Sequence, residues 1–244
     1  MAAHGINAVR TYTAPPRWLL DAAQRNSLRV LAGLPVERYI GFLNDRRADA
    51  PDVAALVRAG VARCAGHPAL LAYAIGNEIP AGVSRWHGAR RVERYLERLT
   101  RVVRDADPAG LVTYANYPST EYLDLSFLDF LCFNVFLESP ERLDAYLGRL
   151  QTLAGDRPLV MGELGLDSRR QGEDRQAEVL DWQLRTAFAA GCAGAFVYAW
   201  TDDWHRGGED VNDWGFGLTR RDREPKAALA AVRRAFAATP FPPE

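Results

Sequence analysis

Two glutamates draw attention because each directly follows a hydrophobic run. Glu78 closes LLAYAIGNEIP and Glu163 closes PLVMGELG. Two carboxyl groups in unlike surroundings can divide the work of cleaving a glycosidic bond. One is protonated and gives its proton to the leaving oxygen; the other is ionised and attacks the anomeric carbon or stabilises the oxocarbenium-like transition state. A single glutamate after a strand is most often a helix N-terminal residue favoured by the dipole. The pair, with Asn77 immediately before one and an aromatic closing the next strand, favours chemistry over capping. The two lie about 85 residues apart in sequence, so only a fold that gathers strand ends on one face unites them.

The other strand ends are polar as well. The first apolar run ends at Arg10 and Tyr12, TYANY carries Asn116 and Tyr117, and CFNVF carries Asn134 and Phe136. The last, VYAWTDDW, carries Trp200, Asp202, Asp203 and Trp204. Arg10, Asn77, Asn116, Tyr117, Asn134, Trp200, Asp202 and Trp204 are therefore the expected substrate contacts. Trp200 alone reads equally well as core filling, but followed by Thr-Asp-Asp-Trp it reads as a sugar-stacking platform. An Arg ending an inward strand needs a buried acid, and Glu163 is its candidate partner. The loop Asp202–Gly215 reads first as substrate subsites, then as a solvated loop. Calcium comes last, because the alternating ligands of an EF-hand are missing. His67 reads as a loop residue. No histidine pair has zinc-ligand spacing, and neither GxSxG nor a glycine-rich phosphate turn occurs. No metal and no cofactor are expected.

The elements that must position these residues alternate in type. Seven short apolar runs read as strands: Asn7–Tyr12, Leu28–Ala32, Leu71–Gly76, Leu111–Ala115, Phe130–Val135, Leu159–Gly162 and Ala195–Trp200. Helical periodicity covers Pro16–Asn26, Ala50–Ala65, Gly88–Asp105, Pro140–Ala154, Gly172–Ala190 and Pro225–Ala238. Continuous apolar strands alternating with helices predict βα units and a parallel sheet buried on both faces. The 244 residues, 48% hydrophobic and 25% charged, suit one large α/β domain. Seven strands are one short of a closed (β/α)₈ barrel, and MAAHGINAVR reads as a helix tail running into a strand. The expectation is thus a TIM barrel lacking its first strand, one domain over residues 1–244 within a longer polypeptide. The runner-up is an open doubly wound sheet.

At these motifs the chain resembles clan A of the glycoside hydrolases, most closely the catalytic barrels of family 2, with families 5 and 17 as near relatives. GINAVRTY resembles the clan's second strand, whose Arg lies near the nucleophile. GNEIP resembles the Asn-Glu ending strand four, which implies Glu78 as acid/base and Asn77 as contact to the sugar 2-hydroxyl. GELG resembles the end of strand seven and implies Glu163 as nucleophile. YAWTD resembles strand eight, whose Trp, here Trp200, floors the subsite of the cleaved sugar. The tail from Trp214 to Leu229 resembles the family 2 closing segment. The aromatic after strand six is commonly a Tyr that hydrogen-bonds the nucleophile; Phe136 stands there and removes that hydroxyl.

The resemblance implies a retaining hydrolase or transglycosidase of β-linked sugars, with an oligosaccharide or glycoside as substrate. The alternative is a catalytically weak or silent carbohydrate-binding barrel within a larger carbohydrate-active protein. Formal net charge is -1, which gives no reason to expect nucleic acid. No apolar run reaches the roughly 20 residues of a spanning helix, so no membrane segment is expected. Further domains of the same polypeptide are expected partners. The three cysteines have no CxxC spacing and read as free buried thiols; with no signal peptide in view they favour a cytoplasmic setting.

Overall fold

The computed structural model of the protein describes residues 1–42, 51–206 and 208–239. Ala50 and Gly207, both part of the sequence reading, lie outside the described residues. The chain divides into two compact units, Asn7–Phe133 and Met1–Ile6 with Asn134–Glu244.

The Asn7–Phe133 unit runs β1 (Ala8–Thr11), α1 (Arg17–Arg25), β2 (Arg29–Leu34), α2 (Val53–Cys64), β3 (Leu70–Asn77), α3 (Ala81–His87), α4 (Ala89–Ala106), β4 (Val112–Asn116) and β5 (Leu131–Asn134). The final residue of β5, Asn134, is counted with the second unit. β1 pairs with β2, β2 with β3, β3 with β4 and β4 with β5, all in parallel. Strand interiors such as Val30–Ala32 and Ala72–Ile75 are buried, as the unbroken apolar runs require of strands covered on both faces. The core joins them to Leu20 of α1, Val57 and Val61 of α2 and Leu96 and Leu99 of α4. α4 buries Val92, Tyr95, Leu96, Leu99 and Val103 at helical spacing.

The second unit holds α5 (Pro140–Ala154), β6 (Leu159–Leu164), α6 (Ser168–Gln171), α7 (Glu173–Ala189), β7 (Gly194–Val197), a hairpin of β8 (His205–Arg206) with β9 (Glu209–Asp210), and α8 (Ala227–Ala237). β6 and β7 are parallel, α7 packs on α8, and the N-terminal 3-10 turn Ala2–His4 packs on α8 as well. Ser139 caps α5 by accepting from the Arg142 N–H.

The βα alternation is present in both units, with local corrections. α3, α6, the hairpin and a 3-10 segment over Val36–Phe42 were not expected. Gly88, at φ 83°, separates α3 from α4 where one helix start was read. The last parallel strand stops at Val197 rather than Trp200, because the backbone beyond it bonds elsewhere. The Ala199 N–H donates to Phe216 O, while Ala199 O and Trp200 O accept from the N–H groups of Leu218 and Thr219.

A packing test follows from β1 and β2. A Cβ on Gly33 would lie 2.5 Å from the Thr11 carbonyl oxygen and 2.5 Å from the Tyr12 carbonyl carbon, backbone atoms with little room to yield. Gly33→Ala should cost about 1–3 kcal/mol of stability. Gly82→Ala, in α3 with open space around it, should be neutral or gain up to about 1 kcal/mol. Thermal melts of the two variants check the contrast; equal midpoints would refute it.

Candidate active site

In the first unit β3 ends irregularly beside β4. Pairing of β3 with β4 shifts register between Ala74 and Asn77, and Gly76 takes φ 96°. Glu78 itself lies at φ 46°, a left-handed conformation that costs a residue with a Cβ about 1–3 kcal/mol. Other elements hold the turn by its amides. The Asn77 N–H donates to Glu37 Oε2 (3.1 Å), Glu78 N–H to Ala115 O (2.9 Å), Ile79 N–H to the Tyr114 hydroxyl (2.7 Å), and Ala81 N–H to the Tyr117 hydroxyl (2.8 Å). Glu78 is half-buried.

Arg10 at the end of β1 lies over the Tyr12 ring, 4.9 Å from its centroid, and donates through Nη2 to Asn77 Oδ1 (2.6 Å). Arg10, Tyr12, Glu37 and Asn77 are among the residues lining a small open pocket. Burial pushes the Glu37 carboxyl above its ordinary value of 4.5, against the smaller opposing pull of hydrogen bonds and of Arg38 and Arg10. Asn116 is placed otherwise than expected. It is 1% exposed, its Oδ1 accepts from Thr120 Oγ1 (2.6 Å) and the Tyr117 N–H (2.9 Å), and its Nδ2 donates to Thr120 O (3.2 Å). That bonding makes Asn116 a brace of the loop carrying Tyr117, not a group turned toward a ligand. Tyr117 is likewise tied to the turn after Glu78.

In the second unit Glu163 is the penultimate residue of β6 and is 7% exposed. Asn134 Nδ2 donates to Glu163 Oε1 (3.0 Å), and the Val135 N–H donates to the Glu163 carbonyl (2.9 Å). Two residues on, Gly165 leaves no room for a side chain, since a Cβ would sit 2.6 Å from Tyr198 O. Around it gather Phe136, Tyr198, Trp204, Trp214 and Phe216. Trp204 stacks on Trp214 (centroids 5.7 Å apart, 29°), and Tyr198 meets both edgewise. Phe136 packs edge-on against Tyr198 (6.1 Å) and Phe216 (5.9 Å). Trp200 is half-buried, with its ring centroid 6.4 Å from that of His4.

Asp202 is also placed otherwise than expected. Its Oδ2 lies 2.7 Å from Lys226 Nζ and its Oδ1 accepts from the Gly217 N–H (2.8 Å). Lys226 is the single lysine of the chain, and its side chain is 2% exposed. Its ammonium donates to Asp202, to Ser168 Oγ (2.9 Å) and to Gly215 O (3.0 Å). The Gly215 carbonyl also accepts from the Ser168 N–H, Ser168 Oγ and Gln176 Nε2. Three donors on a compact ammonium fit this site; a planar guanidinium does not. The knot ties the Trp214–Gly217 segment to the stretch that follows Glu163.

Glu37, Tyr114 and Lys226 escaped the sequence reading. Glu37 and Lys226 close no strand, and Tyr114 lies inside one. The lone lysine among arginines was the available signal for the third. His67 lies in the loop before β3, as read, and is anchored there: it is 4% exposed, bonded to Asp21 through Nε2 (3.0 Å) and to the Ala69 N–H through Nδ1 (3.1 Å). Cys64, Cys132 and Cys192 are buried and in no disulfide; burial pushes the Cys64 thiol up to about 11 and that of Cys192 to about 12. Among the described residues no cluster of three or more His, Cys, Asp or Glu could hold a metal ion. No helix among them is long and apolar enough to cross a membrane.

Residues 1–241 match the family described as glycosyl hydrolases family 2, TIM barrel domain, and the chain belongs to that family. Its fold is that of the (β/α)₈ barrel, of which seven parallel strands lie among the described residues. Among similar solved structures is the β-glucuronidase of Bifidobacterium dentium complexed with coumarin-3-O-glucuronide. It is 18% identical, with TM-score 0.77 over 97% of this chain and 41% of that one. The β-glucuronidase of Ruminococcus gnavus is 18% identical, TM-score 0.77, over 96% and 44%. That of Faecalibacterium prausnitzii is 20% identical, TM-score 0.75, over 97% and 44%. The chain thus spans less than half the length of these relatives. No curated protein matches it.

Two stability tests come from these contacts. Lys226→Met strands the Asp202 carboxylate and several acceptors and should cost about 3–5 kcal/mol; Lys226→Arg should also destabilise. Chemical denaturation measures both, and a loss below about 1 kcal/mol for Lys226→Met would contradict the knot. For Glu37, a carboxyl raised in the folded chain binds a proton there more readily than when unfolded. Its contribution to stability therefore falls as pH rises through the window just above 4.5. Glu37→Gln removes that titration, so its melting temperature should gain on the wild type as pH rises through the window. A difference constant with pH would contradict it.

Proposed function

We propose that the chain supplies the catalytic barrel of a retaining β-glycoside hydrolase, with Glu163 as nucleophile and Glu78 as acid/base. The observation that supports this most is the buried Glu163 carboxylate at the carboxyl end of β6, with Oε1 fixed by Asn134, in a chain of family 2. A nucleophile has to present one oxygen in a set direction, and a donor on the other holds the plane of the carboxylate.

In this reading Glu163 attacks the anomeric carbon while the bond from that carbon to the leaving oxygen breaks. The leaving oxygen takes the Glu78 proton. Glu78, now ionised, removes a proton from water or from an acceptor hydroxyl, whose oxygen displaces Glu163 and restores both carboxyl groups. Arg10 orients Asn77 toward a sugar hydroxyl, and Trp200 with Trp204 offers aromatic faces to the sugar. Asn134 works through Glu163, while Asn116 and Asp202 serve the architecture. The substrate is a β-linked glycoside. The β-glucuronidase relatives make glucuronides the first to try, beside glucosides and galactosides, and further domains of the same polypeptide complete the substrate end. Phe136, which brings no hydroxyl to the nucleophile, supports the second reading, a sugar-binding barrel without turnover.

Aryl β-glycosides of the three sugars, followed by proton NMR, test the proposal. The first-formed sugar should be the β anomer. Glu163→Gln should abolish turnover with folding intact, and Glu78→Gln should lower it by about 10²–10⁴-fold. An α-anomeric first product, or normal turnover by Glu163→Gln, sinks the mechanism. Saturable oligosaccharide binding with no turnover of any glycoside selects the second reading.

A further inference from the structure

Asn77 lies two residues beyond the last β2–β3 pair, Leu34 with Ile75, so β2 offers its amide no carbonyl, and an amide in the protein interior needs another acceptor. Glu37 supplies it from the 3-10 segment after β2, a stretch with no other tie to this turn in the sequence pattern. The same carboxylate lies flush against the strand end: a Cβ on Gly76 would be 3.3 Å from Glu37 Oε2, 3.2 Å from Val36 Cγ2 and 3.3 Å from the Tyr114 ring. Asn77 is thus held at both ends, its N–H by Glu37 and its Oδ1 by Arg10 (2.6 Å). The next residue is Glu78, in a left-handed conformation that persists only when its surroundings over-determine it.

We infer that Glu37 is a positioning residue for the acid/base: by accepting the Asn77 amide it sets the direction in which Glu78 presents its carboxyl group to the leaving oxygen. The inference rests on Glu78 having that role. A charged acceptor makes a shorter, stronger bond to an N–H than a neutral one, but the geometric requirement is only an oxygen at this place. Glutamine provides one at the same reach; alanine provides none and leaves the amide without its partner. Proton donation matters most when the leaving group is poor and least when it departs readily as an anion. A misdirected Glu78 therefore has a signature that general loosening of the fold lacks.

The test uses the full-length polypeptide with two aryl β-glycosides of one sugar, a 4-methylphenyl glycoside (poor leaving group) and a 2,4-dinitrophenyl glycoside (activated). Glu37→Ala should lower kcat/KM on the first by about 10-fold or more and leave the second close to wild type, which also certifies the folded site. Glu37→Gln should restore the first. Equal losses on both glycosides in Glu37→Ala overturn the inference in favour of a purely structural role. A Glu37→Gln variant as impaired as Glu37→Ala overturns it too, since the negative charge rather than the hydrogen bond would then be what matters. No turnover of either glycoside by the wild type would overturn the assignment of the site itself. In that case Glu163→Gln and wild type behave alike, which separates that failure from the others.

Discussion

A backbone amide that leaves a β-ladder inside a protein must find another acceptor, and the turn after β3 is built around that constraint. Four N–H groups, at Asn77, Glu78, Ile79 and Ala81, donate to a carboxylate, a carbonyl and two phenol hydroxyls drawn from two other stretches of chain, Glu37 and Tyr114–Tyr117. Each bond alone is worth about 0.5–1.5 kcal/mol, and more for the charged acceptor. Together they offset the left-handed conformation at Glu78. Tyr114, buried to the point that its phenol is pushed far above the usual range, acts here as a fixed acceptor and not as an acid.

The second unit solves a similar problem with the opposite polarity. Here a single carbonyl, that of Gly215, collects donors from Ser168, Gln176 and Lys226. Burying an ammonium is expensive unless it is paired and fully hydrogen-bonded, and Lys226 is both. The aromatic group of Phe136, Tyr198, Trp204, Trp214 and Phe216 is seated on this segment. The stacking surfaces therefore depend on a polar contact that none of them makes.

Much of this was legible in the residues. Short apolar runs located the parallel strands among the described residues, most clearly β2, β4 and β5, whose interiors are buried on both faces. Glu78 and Glu163 stood out as candidates because each closes such a run. Glu37 was not, since a 3-10 segment has neither the alternation of a strand nor the stripe of a helix. The short reach of β7 was hidden for a related reason: its continuation bonds to Phe216–Thr219, a glycine-rich stretch with no strand pattern. Asn116 and Asp202 have the residue types of sugar contacts, and only the placement of Thr120 and Lys226 shows where their bonds go. The lone lysine was visible, but its type alone does not say what it holds.

The second unit is assembled from both ends of the chain, with Met1–Ile6 joined to Asn134–Glu244, and its N-terminal turn packs on α8. Loop-closure entropy makes such distant pairings late events. During synthesis from the N-terminus, the Asn7–Phe133 unit has all its partners once residue 133 has emerged, while Ala2–His4 waits for α8. Every group that holds the Glu78 turn, from Arg10 to Tyr117, belongs to that earlier unit. The groups that hold Glu78 are thus all translated before Glu163.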